Sequence, residues 1–496
     1  VLVPDKIKSG EEFMVKIYRQ VFVQPKKDGV LCEVLEMLKN KRNAAKKQMK
    51  GCKKELIKVK DKMKIKTDNK ELQERVNHLT LLIKIYDGKQ LSYKLLMNSL
   101  YGQTGASTSP IFFPQLAAST TAGGRQVIFL TKEFFENMAD AEVVYGDTDS
   151  LFMAFNLPKE VKDKMSLEQL IKYNMDRAIK NGPEAVEYIH KMQPGTRGLH
   201  VFEFEKSIRN MIFLNKKKYA GLYHTDPNRP LDCYEKSMGD AEKRRDYTTL
   251  VKSIYVKVKR ILLYEADMNK AIYVGVTFAE DMLLHKFDDN IDGFTLSKSL
   301  KAFEKYTALP GREKGAHVGH FVMAQRYNKE KGEFQFKSGN RVPHIFVNNY
   351  DLKADDIPPG YNLEHPERVK KEGIPIDVGH YFEKVVKVLA PMYAMELGTN
   401  AKNLFYEMRQ RYKACHKYLE TETIKRIEMK KTGQRTLGLK KMTDPRTHKR
   451  AIYKPLNLPA DTNWKSYVRK QTMRRNPRGS IQKNMNGTLN KWLKKN

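Results

Sequence analysis

The chain has 496 residues, and its 92 Lys and Arg against 58 Asp and Glu leave a formal charge of +34, so the simplest compensating partner is a phosphate polyanion. No apolar run approaches the 18 residues that a membrane helix needs, and the cations are scattered rather than set opposite an apolar stripe, which sets a membrane aside. Cys32, Cys52, Cys233 and Cys415 form no Cys-x-x-Cys pair, which argues against zinc and for a reducing compartment. With 40% hydrophobic residues, the length suits two to four subdomains.

Residues 1 to about 29 mix Val, Ile, Tyr and Phe with Gly and Pro and read as strand-rich. Leu31, Val34, Leu35 and Leu38 then follow an i, i+3, i+4, i+7 pattern, which predicts a helix running into a lysine-rich stretch. Asp68-Asn69 breaks it, and a second helix is predicted from Glu71 to Leu100; residues 59 to 65 also alternate as a strand would. On the first helix Arg42 and Lys46 stand four apart and share a face, although Lys39, Lys41, Lys47 and Lys50 make a solvated charge run an equal reading. On the second, Lys94, Asn98 and Tyr101 at i, i+4 and i+7 put a cation, an amide and a ring on one stripe. That set suits a nucleoside triphosphate, with the ammonium on phosphate and the ring against sugar or base. An ordinary amphipathic helix with a surface lysine is the plainer alternative.

After Gly102 the pattern turns to mixed α/β. A helix around Ala117 to Met138 carries Gly123-Gly124, predicted to admit a closely packed neighbour. A hairpin follows, with Val143, Val144 and Tyr145 leading in, Leu151, Phe152 and Met153 leading out, and Gly-Asp-Thr-Asp between them. Strand alternation would point Asp147 and Asp149 to one face, where they could offer oxygens to Mg²⁺; an Asp-x-Asp also serves as turn chemistry alone. The span from Leu199 to Leu222 is β-rich and holds Lys216-Lys217-Lys218-Tyr219, cations suited to backbone phosphates. From about Asp240 the reading is helical, with Leu250, Val251, Ile254, Val258 and Ile261 on one stripe. The tail from Lys425 to Asn496 holds 21 Lys or Arg against 3 Asp or Glu, both tryptophans, Trp464 and Trp492, and a short apolar stripe of Leu489, Trp492 and Leu493. Two readings of it stay open: more duplex-gripping surface, or a peptide that docks a processivity factor.

In order and spacing, Lys94-x-x-x-Asn98-Ser-x-Tyr101-Gly followed by Tyr145-Gly-Asp147-Thr-Asp149-Ser resembles motifs B and C of the family B DNA polymerases. Lys216-Lys217-Lys218-Tyr219, preceded by Glu203-Phe-Glu205-Lys206, resembles the family's Lys-Lys-x-Tyr element beside the primer-template duplex. The segment from Gly239 to Arg244-Arg245-Asp246 is similar to the Arg-Arg-Asp element that opens the thumb, and Leu309-Pro310 and the stretch from Ile374 to Tyr381 look like later thumb landmarks. The resemblance covers roughly residues 20 to 400.

The resemblance implies an α+β fold of right-hand architecture, with an antiparallel-sheet palm, helical-hairpin fingers and a mainly helical thumb. Residues 1–29 would be a palm remnant, 30–104 the fingers, 105–239 the palm with the metal hairpin, 240–424 the thumb and 425–496 a basic extension. It implies template-directed addition of deoxynucleotides to a primer 3′ end at a two-Mg²⁺ site, with Asp149 the principal ligand and Asp147 its neighbour. Arg42, Lys46, Lys94, Asn98 and Tyr101 would meet the deoxynucleoside triphosphate, and Lys216, Lys217, Lys218, Tyr219, Arg244 and Arg245 the primer-template DNA. The family's motif A, an Asp followed by Ser-Leu-Tyr-Pro-Ser, is not found in these 496 residues. The second main carboxylate is therefore expected from an upstream polymerase fragment, and the chain alone is expected to be incomplete for chemistry. The alternative is a non-catalytic primer-template-binding subunit that needs a second chain; an unrelated basic RNA-binding protein is a distant third. The expected setting is intracellular, either the nucleus or a cytoplasmic viral replication site.

Overall fold

A computed structural model describes residues 2–6, 12–16, 29–65, 69–193, 200–307, 315–331, 336–348, 360–417 and 453–475. The chain divides into two compact units: unit 1 holds residues 1–165 and 173–204, and unit 2 holds residues 166–172 and 205–496.

Unit 1 begins with the antiparallel pair β1 (Leu2–Lys6) and β2 (Glu12–Lys16). Two 36-residue helices follow, α1 (Val30–Ile65) and α2 (Lys70–Gly105), packed as an antiparallel hairpin. Leu38, Ala45 and Val59 of α1 and Leu79 of α2 are buried between largely exposed flanks, as expected where a two-helix pair carries its own narrow apolar seam. The break at Asp68-Asn69 is a helix start: the Asn69 side chain accepts the Leu72 N–H at 3.2 Å and satisfies one of the amides that α2 leaves open. Residues 59 to 65, which alternate in sequence as a strand would, continue α1; the buried seam overrides the local pattern.

Helix α3 (Pro114–Asn137) opens on a proline, whose missing N–H costs nothing at a first helical position. Gly123 and Gly124 lie within it, and a Cβ built on either meets nothing within 4 Å, so the close neighbour expected there is absent among the described residues. The hairpin of β3 (Ala141–Asp147) and β4 (Ser150–Phe155) follows, then α4 (Lys159–Lys162) and α5 (Leu167–Met192). A small core of Phe134, Phe135, Ala139, Ala141 and Ala185 holds α3, the hairpin and α5 together. Arg177 of α5 donates to the Ala139 carbonyl at 2.5 Å and lies over the Phe155 ring, anchoring the base of the hairpin.

Unit 2 contains an antiparallel sheet of β5 (Ser207–Asn215), β6 (Lys218–His224) and β7 (Cys233–Met238), in that order. The helices α6 (Thr249–Arg260) and α7 (Met268–Leu283) are joined by a π-helical turn, Ile261–Glu265, and followed by α8 (Ile291–Phe294). The span expected to be mainly helical also carries a second antiparallel sheet, ordered β10 (Leu363–Glu364), β9 (Arg341–Phe346), β8 (Leu296–Ser299), with α9 (Gly319–Lys331) and α10 (Pro366–Glu372) beside it in sequence. Its strands are two to six residues long, too short for period-2 alternation to stand out in a sequence. Helix α11 (Val378–Leu397) runs through the core: the fully buried Tyr393 donates its hydroxyl to the Ala271 carbonyl at 3.0 Å, and Tyr381 donates to the Phe294 carbonyl at 2.9 Å.

The last described helix, α12 (Trp464–Arg475), belongs to the same core, where Trp464 and Val468 are buried. The approach to it is pinned as well, because Glu280 accepts the Leu456 and Asn457 N–H groups and Arg411 donates to the Lys454 carbonyl. Residues 453–475 are thus an integral part of unit 2, and Trp464 is a core residue with no free surface for duplex or peptide. Trp492, Leu489 and Leu493, and the landmark Leu309-Pro310, lie outside the described residues. Among the described residues no helix is long and apolar enough to cross a membrane.

Candidate nucleotide and nucleic-acid sites

The hairpin tip is a tight structure built by its own residues. Tyr145 pairs with Phe152, Gly146 with Leu151 and Asp147 with Ser150, after an irregularity between Val143 and Tyr145. A Cβ on Gly146 would stand 2.9 Å from Leu151 Cδ2, so any larger residue here obliges the cross-strand leucine to shift. Thr148 adopts a positive φ of 56°, and the Asp149 N–H donates back to the Asp147 carbonyl at 2.7 Å. The Thr148 hydroxyl donates to Asp147 Oδ1 at 3.0 Å, orienting that half-buried carboxylate, whereas Asp149 is exposed. The simple alternation argument therefore fails at this point. Asp147 closes β3, Asp149 lies past the strand end, and the reversal at Thr148 decides their relative direction. The tip offers two carboxylates, and no group of three or more His, Cys, Asp or Glu side chains able to hold a metal occurs among the described residues. The pair fits part of a hard-cation shell.

On the helical hairpin, Arg75 pairs with Glu55 at 2.5 Å, which marks the register of the two helices. Thirteen residues outward from that pair lie Arg42 on α1 and Gly88 on α2; Lys94 is six residues farther, about 9 Å at 1.5 Å per residue. Arg42, Lys46, Lys94, Asn98 and Tyr101 thus lie spread along the open half of one helical hairpin, with Tyr101 about 20 Å along the axis from the level of Arg42. Lys46, Lys94, Asn98 and Tyr101 are exposed, while Arg42 is half-buried with its Nε lacking a hydrogen-bond partner.

In unit 2, Lys216 and Lys217 form the turn between β5 and β6 and are both exposed, with Lys217 at φ 60° and the Lys216 N–H held by the Asn215 side chain at 2.7 Å. Lys218 and Tyr219 begin β6 and are half-buried, and the Tyr219 ring stacks on Phe213 at 5.6 Å. The two arginines of the Arg-Arg-Asp segment differ. Arg244 forks onto Asp246 through two hydrogen bonds of 2.9 and 2.6 Å, which raises its own pKa, while Arg245 lines a cleft of about 480 Å³. Lys298, Lys301, Lys305, His320 and Arg341 line that same cleft. The Arg341 guanidinium donates to the Ser297 hydroxyl at 3.0 Å and to the Ser297 carbonyl at 2.5 Å, so among the described residues it is held by neutral acceptors. Burial and the nearby Lys298 push the pKa of His320 down. Sequence reasoning missed this cluster because its cations are spread from residue 245 to residue 341 with no periodicity; the folding of β8 against β9 brings them together.

A sequence model of DNA polymerase family B matches residues 59–395. The chain is 35% identical over 347 residues to a DNA polymerase of Pyramimonas orientalis virus, covering 69% of this chain and 27% of that protein. It is 30% identical over 414 residues to the DNA polymerase delta catalytic subunit of Caenorhabditis elegans, covering 80% of this chain and 32% of that one. The corresponding subunit of Drosophila melanogaster is 30% identical over 334 residues, covering 65% and 27%. The chain spans about a third or less of the length of these relatives. The match contains α2, the Asp147/Asp149 hairpin, the Lys216–Tyr219 turn and the Arg245 cleft, and on it this chain belongs to DNA polymerase family B.

Proposed function

We propose that this chain carries the nucleotide-binding and duplex-gripping parts of a DNA-directed DNA polymerase that adds deoxynucleotides to a primer 3′ end. The observation that carries this reading is the family match over a stretch that includes both the Lys94–Tyr101 stripe and the Asp147/Asp149 tip. In the right-hand description, the α1–α2 hairpin serves as fingers, the β3–β4 hairpin belongs to the palm, and the helices from α6 onward form the thumb.

Mg²⁺ bound at Asp149 and Asp147 would supply charge neutralisation of the phosphates and of the attacking and leaving oxygens. The residues of the chain do the rest by position. Lys94 sets a point charge against the triphosphate, Asn98 donates a hydrogen bond, Tyr101 offers a ring to sugar or base, and Arg42 and Lys46 add cations from α1. The Lys216–Lys217 turn, with Lys218 and Tyr219 behind it, and the cleft around Arg245 hold backbone phosphates of the primer-template, which gives affinity without reading sequence. Arg244, forked onto Asp246, shapes this surface more than it adds free charge.

The reading is tested by primer-template binding at several salt concentrations, together with Mg²⁺-dependent primer extension in a preparation that contains this chain. Salt-sensitive binding with extension that depends on Asp149 is expected. Binding with extension indifferent to Asp149 favours the non-catalytic subunit, and affinity insensitive to salt overturns both.

A further inference from the structure

Lys259 of α6 has no solvent exposure, a costly place for an ammonium unless it is fully paired. It is paired on several sides. Its Nζ lies 2.6 Å from Glu235 Oε1 and 2.8 Å from the Ser237 hydroxyl on β7, contacts Glu242, and stands 3.8 Å from the buried Asp240. Arg260 also reaches Glu235, and Lys243 also reaches Glu242, so three carboxylates face three cations and the cluster is neutral. The hydrogen bond from Lys259 holds the pKa of Glu242 below the usual carboxylate range, and burial together with Asp240 pushes the Tyr255 hydroxyl up.

The partners of Lys259 bracket one residue. Glu235 and Ser237 precede Gly239 in the chain, and Asp240 and Glu242 follow it. Gly239, at φ 59°, is the point where a Cβ would stand 2.4 Å from the Lys217 carbonyl oxygen. The same segment runs on to Arg245. We propose that Lys259 is a positioning residue that locks β7 and the Gly239–Arg245 segment into one body and thereby holds the Lys216–Lys217 turn at the height needed to meet the duplex. The duplex-facing part of this assignment rests on the function proposed above. Lys259 touches no DNA itself; it acts through the backbone at Gly239.

Two variants test this in the full chain: Lys259→Met, and Lys259→Met with Asp240→Asn and Glu242→Gln, which neutralises the buried Asp240 and the half-buried Glu242 that lose the ammonium if the single change prevents folding. Amide hydrogen exchange at residues 215–218 without DNA reports the turn directly, and a roughly tenfold rise is expected while exchange in the centre of β6 stays as in the wild type. With duplex, the affinity should fall and the log-log salt slope should drop by about two units, one for each lysine displaced. A purely stabilising role would lower the melting temperature and leave both readouts unmoved. Wild-type turn exchange in a folded variant overturns the proposal. Lys216→Ala/Lys217→Ala serves as the control for the DNA reading. An unchanged salt slope in that variant removes the turn from the duplex surface, and the exchange result still decides whether Lys259 positions it.

Discussion

The backbone of Gly239 lies against the carbonyl of Lys217, closely enough that an added Cβ would come within 2.4 Å of that oxygen, and Gly239 holds a left-handed φ of 59°. The β5–β6 turn and the start of the Arg-Arg-Asp segment are therefore in backbone contact, and only glycine permits it. Gly239→Ala should displace the turn and destabilise unit 2 by about 1–3 kcal/mol through backbone strain. Primer-template affinity should fall along with the melting temperature. Wild-type affinity in the folded variant would show that the turn does not need this contact.

Asp149 stands exposed at the hairpin tip. In an extension-competent preparation, Asp149→Ala should abolish primer extension and leave primer-template affinity within a few-fold, because its proposed partner is Mg²⁺ and not DNA. Extension at the wild-type rate would remove Asp149 from the site.

Lys94 is exposed on α2 in line with Asn98 and Tyr101. If its charge meets the triphosphate in the transition state, Lys94→Ala should slow single-nucleotide incorporation by on the order of 10²-fold with duplex affinity unchanged. The reverse pattern, a normal rate with weakened duplex binding, would move Lys94 to the DNA side.

Arg341 is held by the neutral hydroxyl and carbonyl of Ser297. Arg341→Ala should reduce the log-log salt slope of duplex binding by about one unit, as loss of one phosphate contact does. A slope equal to that of the wild type would assign Arg341 to holding β8 against β9.

His344 and His380 carry a pH signature. Burial, aided by neighbouring cations and histidines, pushes each from 6.5 down to about 4, and His380 stacks flat on Phe346 at 3.6 Å. Between these values the unfolded chain binds protons that the folded chain refuses, so the stability of unit 2 should rise with pH from about 4 to 6.5 and level off above. Denaturant midpoints across that range check this, and His380→Gln should flatten part of the rise. Identical pH dependence in variant and wild type would exclude His380 as a source.

The helical hairpin was legible because its signals are local: i, i+4 spacing, a break at Asp68-Asn69 and a cap on Asn69. The motif residues were legible as ordered strings, since Lys94, Asn98 and Tyr101 lie on one helix and Asp147 and Asp149 at one turn. Alternation could not settle the direction of Asp149, because a single positive φ at Thr148 reverses the backbone between the two aspartates. Trp464 illustrates the same limit from the other side. Its surroundings in sequence are among the most basic in the chain, yet it is buried, because Glu280 and Arg411, far away in sequence, hold the approach to α12 against the core. The Arg245–Arg341 cleft and the Lys259 cluster were invisible for the same reason. The sequence alone determined the helices, the turn chemistry, the surplus of positive charge and the motif order, all matters of neighbours along the chain. Only the tertiary structure decided which cations are spent on carboxylates, as Lys259 is, and which meet only neutral acceptors among the described residues, as Arg341 does, because burial and pairing depend on contacts between residues that the sequence holds far apart.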